Sequence, residues 1–221
     1  MISNSTRSEP RRRARALCAL AATALLAATC PRPAGAATDP KGVIEGVTSK
    51  VIAVLRNDAL SSDAKRTEIE AIVYANVDFE TVARLVLARN WRKLSPDQQR
   101  TFVAEFKKHL SLTYGNNVDS YRNEVVAIAG EREETRGDRT VKTRIARGGG
   151  GKDILVDYRL RQHDGEWRII DIVIEGVSLV ANYRSQFQDI VASGGPERLL
   201  ALLREKNAKG EPLKGAPGVA S

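Results

Sequence analysis

Two carboxylates four residues apart, Asp171 and Glu175, are the groups in this chain best placed to do chemistry. Asp171 interrupts an apolar run from Trp167 to Ile174, and Glu175 stands where that run ends. A carboxyl desolvated in such surroundings has a raised pKa and can serve as a general base. The alternative, which is preferred, is that each anchors arginines or the backbone amides of a turn. His109 and His163 are the only histidines. His109 falls beside Lys107 and Lys108 on a charged side of its helix, and His163 next to a turn, so both are expected at the surface. No set of carboxylates has ligand-like spacing for zinc, and there is no nucleophile elbow. Gly148-Gly149-Gly150-Gly151-Lys152-Asp153 fails as a phosphate loop. Ala146 stands where the first glycine belongs, Asp153 where Ser or Thr is required, and a strand follows instead of a helix. No catalytic residue, metal or cofactor is assigned.

The elements that position these groups are legible from caps and periodicity. Trp167 to Ile174 is rich in aromatic and β-branched residues and predicts a strand covered on both faces. Gly176 breaks it, Ser178 is a good N-cap, and Leu179, Tyr183, Phe187 and Ile190/Val191 recur at the spacing of one helix face. Gly194-Gly195 predicts the end of that helix, and Pro196 the start of a last one with Leu199, Leu200 and Leu203 inward. Upstream, Asp39-Pro40 opens a first helix, Ser62 or Asp63 a second, and Asp78 a third that runs to about Trp91. Ser95-Pro96-Asp97-Gln98 reads as a capping box. Its helix carries Phe102/Val103, Phe106, Leu110, Tyr114, Val118 and Tyr121 along one side, with Gly115 as a possible interruption. Four strands then follow as an antiparallel meander: Glu124 to Ala129, Thr140 to Ala146, Ile154 to Leu160 and Trp167 to Ile174. The predicted class is α+β, with N-terminal and C-terminal helices packed on a curved antiparallel sheet of about four strands. A long aromatic helix and a helix folding back from a central strand can close over solid packing or over an apolar pocket. The pattern leaves both open.

The ends of the chain differ from its middle. Residues 1–37 read as a secretory signal, with Arg11, Arg12, Arg13 and Arg15, then an apolar run from Ala16 to Ala28 and the small residues Ala34-Gly35-Ala36-Ala37. The run is too short for a permanent membrane helix, which needs about 20 residues. Residues 38–207 form one domain, and 208–221 a flexible tail. Cys18 and Cys30, the two cysteines, both fall in the signal, so the mature chain has no thiol chemistry. Six of the 35 basic and one of the 27 acidic residues precede Ala37, which takes the formal charge from +8 to 29 against 26, a net +3. That balance does not indicate a nucleic-acid partner.

Trp167–Asp171 followed by Glu175-Gly176-Val177-Ser178, the later GG-x-E-x-LL-x-x-L, the Ser95-Pro96-x-Gln98 helix start and Tyr114-Gly115 resemble the MlaC-type periplasmic phospholipid-binding family (toluene-tolerance auxiliary proteins) over roughly Asp39 to Lys206. The resemblance implies a non-enzymatic carrier in the periplasm of a Gram-negative bacterium. It would hold phospholipid tails in an apolar pocket and shuttle lipid between an outer-membrane lipoprotein complex and an inner-membrane ABC transporter complex with its substrate-binding subunit. Tail contacts would come from Phe106, Leu110, Tyr114, Val118, Tyr121, Tyr158, Ile172, Ile174, Val177 and Leu179. Lys142, Arg144 and Arg184 would meet the headgroup or a partner protein. The competing readings are a small enzyme using Asp171 or Glu175 as base, a carrier of a hopanoid-type lipid, and a ligand-free adaptor with a solid core.

Overall fold

The computed structural model describes residues 39–115, 121, 123–147 and 152–213. Residues 1–38, Val118, the Gly148–Gly151 loop and the last eight residues lie outside the described residues.

Each helix starts where its cap demands. Helix α1 (Pro40–Leu55) begins with the Gly42 amide donating to Asp39 Oδ1 at 2.6 Å. Helix α2 (Ser62–Asn76) is capped by Ser61, and α3 (Phe79–Leu87) by Asp78, which accepts from the Thr81 amide at 2.9 Å. A 3-10 turn (Ala88–Lys93) completes the segment expected to be one helix to Trp91. Helix α4 (Pro96–Gly115) opens on the capping box in both directions. The Ser95 amide donates to Gln98 Oε1 at 2.8 Å, and the Gln98 amide to Ser95 Oγ at 3.2 Å. Tyr121, to which the apolar stripe was extrapolated, is not helical.

The sheet has five strands in the order β1-β2-β3-β4-β5, all antiparallel: β1 (Val125–Glu133), β2 (Arg139–Ala146), β3 (Ile154–His163), β4 (Glu166–Ile174) and β5 (Val177–Ser178). The fifth was not foreseen. Glu175 (φ 49°) and Gly176 (φ 83°) both adopt positive φ. That is the signature of a tight two-residue hairpin turn, so the chain pairs back before entering the helix. Helix α5 (Leu179–Lys209) carries non-helical angles at Gly194 and Gly195, the expected break, after which residues 196–209 run to a left-handed Gly210.

Two apolar clusters result. One joins α3, α4 and α5 around Phe102, Phe106, Tyr183 and Phe187, whose rings meet at centroid distances of 5.1 to 5.6 Å. The other packs Ile44 of α1 on Val141, Leu160 and Ile169 of the sheet. The link between α2 and α3 is pinned to the sheet by the Asp78 amide, which donates to Ile169 O at 3.0 Å. At the far end of the β1–β2 hairpin, Asp138 is fully buried between two guanidinium groups. Arg159 Nη2 stands 2.8 Å and Arg161 Nε 2.7 Å from its carboxylate. Burial alone would raise its pKa, but these hydrogen bonds and charges together hold it below the usual aspartate range.

Two expectations are corrected here. His109 is fully buried, not solvated. Leu213, in the stretch expected to be a flexible tail, is buried in the helical cluster. The two facts are one. His109 Nδ1 lies 3.2 Å from Asn207 Oδ1, and the Leu213 amide reaches His109 Nε2 at 3.4 Å. Asn207 Nδ2 donates to Glu105 O at 2.9 Å. That fixes its carbonyl oxygen toward the imidazole and makes Nδ1 the protonated nitrogen.

Burial lowers the His109 pKa, the Asn207 hydrogen bond opposes this, and the Lys206 charge lowers it further. A depressed folded-state value contributes stability that is present above the ordinary histidine pKa and is lost as pH falls through the folded value. The melting temperature is therefore expected to fall as pH drops below about 6.5, and the His109→Gln variant is expected to lose that slope. Parallel curves for the two proteins would remove His109 as the cause.

Candidate functional site: an apolar cavity roofed by two helices

The two clusters do not close on each other. Between them lies a cavity of about 400 Å³, with members of both on its walls, within the size range of ligand sites. Phe106, Val82, Val86, Val180 and Tyr183 form the helical wall, and Tyr158, Val156, Ile169, Ile172 and Ile174 the sheet wall. Helix α2 closes the space with Ile69 and Val73. No residue of α2 is buried, because its apolar face looks into the cavity and not into packed core.

The sheet wall depends on a bulge. Arg159 pairs with Asp171 but Leu160 with Ile169, which leaves Ile170 as an extra residue on β4. An extra residue shifts the in-out alternation. Ile169 and Ile172, an odd number apart, therefore both line the cavity.

Asp171 lines the cavity too, yet its carboxylate is occupied. Oδ1 accepts from the amides of Ile172 (2.9 Å) and Val180 (3.1 Å), and Oδ2 from Ser178 Oγ (2.6 Å). The same Ser178 oxygen accepts from the Ala181 amide at 3.0 Å. Asp171 thus ties the end of β4 to the first turn of α5 through the N-cap. Burial raises its pKa, and the three hydrogen bonds oppose the rise. Glu175 is exposed and clamps β3, accepting from the Leu155 amide at 2.6 Å. Both carboxylates hold the junction together, which is the structural role preferred from sequence.

Of the residues named as tail contacts, Phe106, Leu110, Tyr114, Tyr158, Ile172, Ile174 and Leu179 line the cavity. Two do not. Tyr121 sits at the end of α1, where its hydroxyl accepts from Arg56 Nε at 3.0 Å. Val177, on the two-residue edge strand, is 46% exposed. Val118 lies outside the described residues. None of the three expected headgroup cations lines the cavity. Lys142 pairs in register with Asp157 on β3, Arg144 faces Asp153 at 3.7 Å, and Arg184 donates to Leu85 O at 2.8 Å.

The residues that sequence reasoning missed include Ile69, Val73, Phe79, Val82 and Val86 on α2 and α3, Val156 and Ile169 on the sheet, and Val180 and Tyr183 on α5. Their spacing was visible, but spacing does not separate a wall from a core.

The cavity's aromatic hydroxyls are strongly desolvated. Tyr158 is pushed up to about 12 by burial. Tyr114 is raised by burial and by the neighbouring Tyr183. The Tyr114 and Tyr183 hydroxyls are buried beside each other. Among the described residues no group of three or more His, Cys, Asp and Glu could hold a metal ion. The arrangement can take up an apolar body.

Comparison with known proteins gives the same picture. A solved structure of a phospholipid-binding protein from Ralstonia solanacearum, in complex with a phospholipid, matches with a TM-score of 0.69 at 25% identity. The match covers 76% of this chain and 96% of that one. The toluene tolerance protein ttg2D of Pseudomonas putida is 24% identical over 176 residues, covering 77% of this chain and 81% of the relative. The intermembrane phospholipid transport system binding protein MlaC of Haemophilus influenzae is 23% identical over 145 residues, covering 63% of this chain and 67% of its own. The model of the MlaC protein family matches residues 45–205, nearly the whole of the folded body. This chain therefore belongs to the MlaC protein family.

Proposed function

We propose that this protein is a periplasmic carrier that holds the acyl tails of a phospholipid in the cavity between α2, α4, α5 and the sheet. It moves the lipid between an outer-membrane lipoprotein complex and the substrate-binding subunit of an inner-membrane ABC transporter complex. Residues 1–37 direct export and are removed. The observation that carries this reading is the apolar cavity itself, walled by side chains of both clusters. Family membership and the lipid-bound relative from Ralstonia support it.

The energetics suit a carrier without a catalytic group. Each methylene kept from water is worth about 0.8 kcal/mol, so a tail of about 16 carbons represents on the order of 10 kcal/mol. A free phospholipid crosses an aqueous space very slowly against that cost. A cavity as apolar as a bilayer makes the transfer from membrane to protein close to neutral. Direction then comes from the docking partners, one of them driven by ATP.

Native mass spectrometry of the protein purified from a periplasmic fraction tests this. One diacyl phospholipid per chain, lost on organic extraction, is the expected result. A hopanoid-type adduct would keep the carrier and change its cargo. A chain that stays lipid-free after incubation with vesicles would overturn the reading.

A further inference from the structure

The cavity lining holds four ionic side chains: Arg66, Glu70, Lys107 and Asp171. Asp171 is committed to the β4–α5 junction. The other three lie on one line, the seam between α2 and α4. Residues 66, 70 and 74 of α2 are each one turn apart, and they meet residues 115, 111 and 107 of α4 in antiparallel order. Arg66 Nε reaches Gly115 O at 3.5 Å, Ser111 Oγ donates to Glu70, and Lys107 Nζ stands 3.6 Å from the centre of the Tyr74 ring. All six residues line the cavity. The rest of the lining is almost wholly apolar, so this seam offers the polar end of an amphiphile its ionic partners.

We infer that the α2–α4 seam is a headgroup subsite for zwitterionic phospholipids, with Arg66 taking the phosphate and Glu70 the ammonium. This rests on the carrier reading above and adds the part of the ligand that the apolar walls do not recognise.

Of the two cations, Arg66 is the one available to a ligand. Its ionic partner is Asp63 at 2.9 Å, whose side chain is 90% exposed, and such pairs contribute little. Its planar fork matches a phosphate in a way a lysine does not. Lys107 is held instead over two rings, Tyr74 and, at 5.4 Å, Phe79. Gly115 makes room for the arginine: a Cβ there would meet Arg66 Cδ at 3.2 Å. Glu70 stands one turn from Arg66, about 6 Å along the helix. The phosphate and ammonium of a phosphoethanolamine group, joined by two carbons, suit two such neighbouring positions of opposite charge.

The test is competitive capture from mixed vesicles containing chain-matched phosphatidylethanolamine, phosphatidylglycerol and diacylglycerol, with extraction and quantitation of the bound lipid. The wild-type protein is expected to take both phospholipids over diacylglycerol by roughly tenfold. Arg66→Gln should bring that preference to within about twofold. Glu70→Gln should lower phosphatidylethanolamine relative to phosphatidylglycerol while the preference of phosphatidylglycerol over diacylglycerol stays. Arg144→Gln, which alters a cation away from the cavity, should change neither ratio. Equal capture of all three lipids by the wild type, or ratios untouched by both seam variants, would overturn the headgroup assignment and leave the carrier reading intact. Capture of no lipid by the wild type would overturn the carrier reading itself. Binding of tail-less glycerophosphoethanolamine as tightly as the lipid would mark Arg66 as a general anion site and also overturn the assignment.

Discussion

Leu110→Glu is expected to abolish lipid retention while the helices remain folded. Leu110 projects from the C-terminal half of α4 into the cavity and is only partly buried, because the cavity lies in front of it. A carboxylate there has two outcomes, both unfavourable to a lipid tail. Either it stays ionised and draws water into the apolar space, or it takes up a proton and leaves an unpaired polar group against hydrocarbon. Burying such a group without a partner costs about 2 kcal/mol or more, and an ionised one far more. Co-purifying lipid should therefore drop by about 30-fold or more. Leu110→Ala removes contact without adding charge, so it should weaken retention only a few-fold, since the binding energy is spread over many methylenes. Circular dichroism and the melting temperature separate loss of the pocket from loss of the fold. A well-folded Leu110→Glu protein that still carries a full complement of lipid would place the tails somewhere else.

The second large effect is on stability and comes from Asp171. Replacing it with alanine removes the acceptor for Ile172 N, Val180 N and Ser178 Oγ together, and with it the fixed entry into α5. The expected loss is about 2–4 kcal/mol, or a fall in melting temperature of about 5–15 °C. Asp171→Asn keeps an oxygen for the amides and should cost much less. It also tests the acid–base signature. The folded-state pKa of Asp171 is raised, with burial the dominant cause. A raised value contributes stability that is full below the ordinary aspartate pKa and is lost as pH rises through the folded value. The asparagine variant lacks that contribution, so its penalty relative to wild type should be greatest in acid and shrink toward neutral pH. If Asp171→Asn folds normally and also keeps its lipid, the carboxylate is an anchor of the junction. If it folds normally but fails to carry lipid, Asp171 acts on the ligand and the anchor account is wrong.

The local signals in the sequence were reliable because each is satisfied within a few residues. Asp39, Asp78, Ser95 with Gln98, and Ser178 all cap the helices they were expected to cap. Gly194-Gly195 breaks the last helix where two consecutive glycines make helical angles costly to hold. The sheet and its antiparallel order followed from alternation and turn residues. Extrapolation failed where periodicity was carried beyond the element that generates it. Tyr121 fits the stripe of α4 arithmetically, but it is not helical and meets Arg56 instead. Val177 was read as part of the strand-to-helix junction, yet positive φ at Glu175 and Gly176 turns the chain back and leaves Val177 on an exposed edge.

The sequence by itself determined the elements, their caps, the α+β class and the family resemblance, since these depend on residue type and spacing along one segment. Tertiary structure decided what no single segment contains. His109 is buried because Asn207 and Leu213, about a hundred positions away, return to cover it. Its neighbours Lys107 and Lys108 had suggested a surface. The bulge at Ile170 puts Ile169 and Ile172 on one wall, against the alternation that the sequence implies. Above all, the gap between the two apolar clusters belongs to no residue. An apolar side chain on a helix looks the same in a sequence whether another side chain or an empty volume faces it, and only the placement of α2 across α4 and the sheet makes that choice.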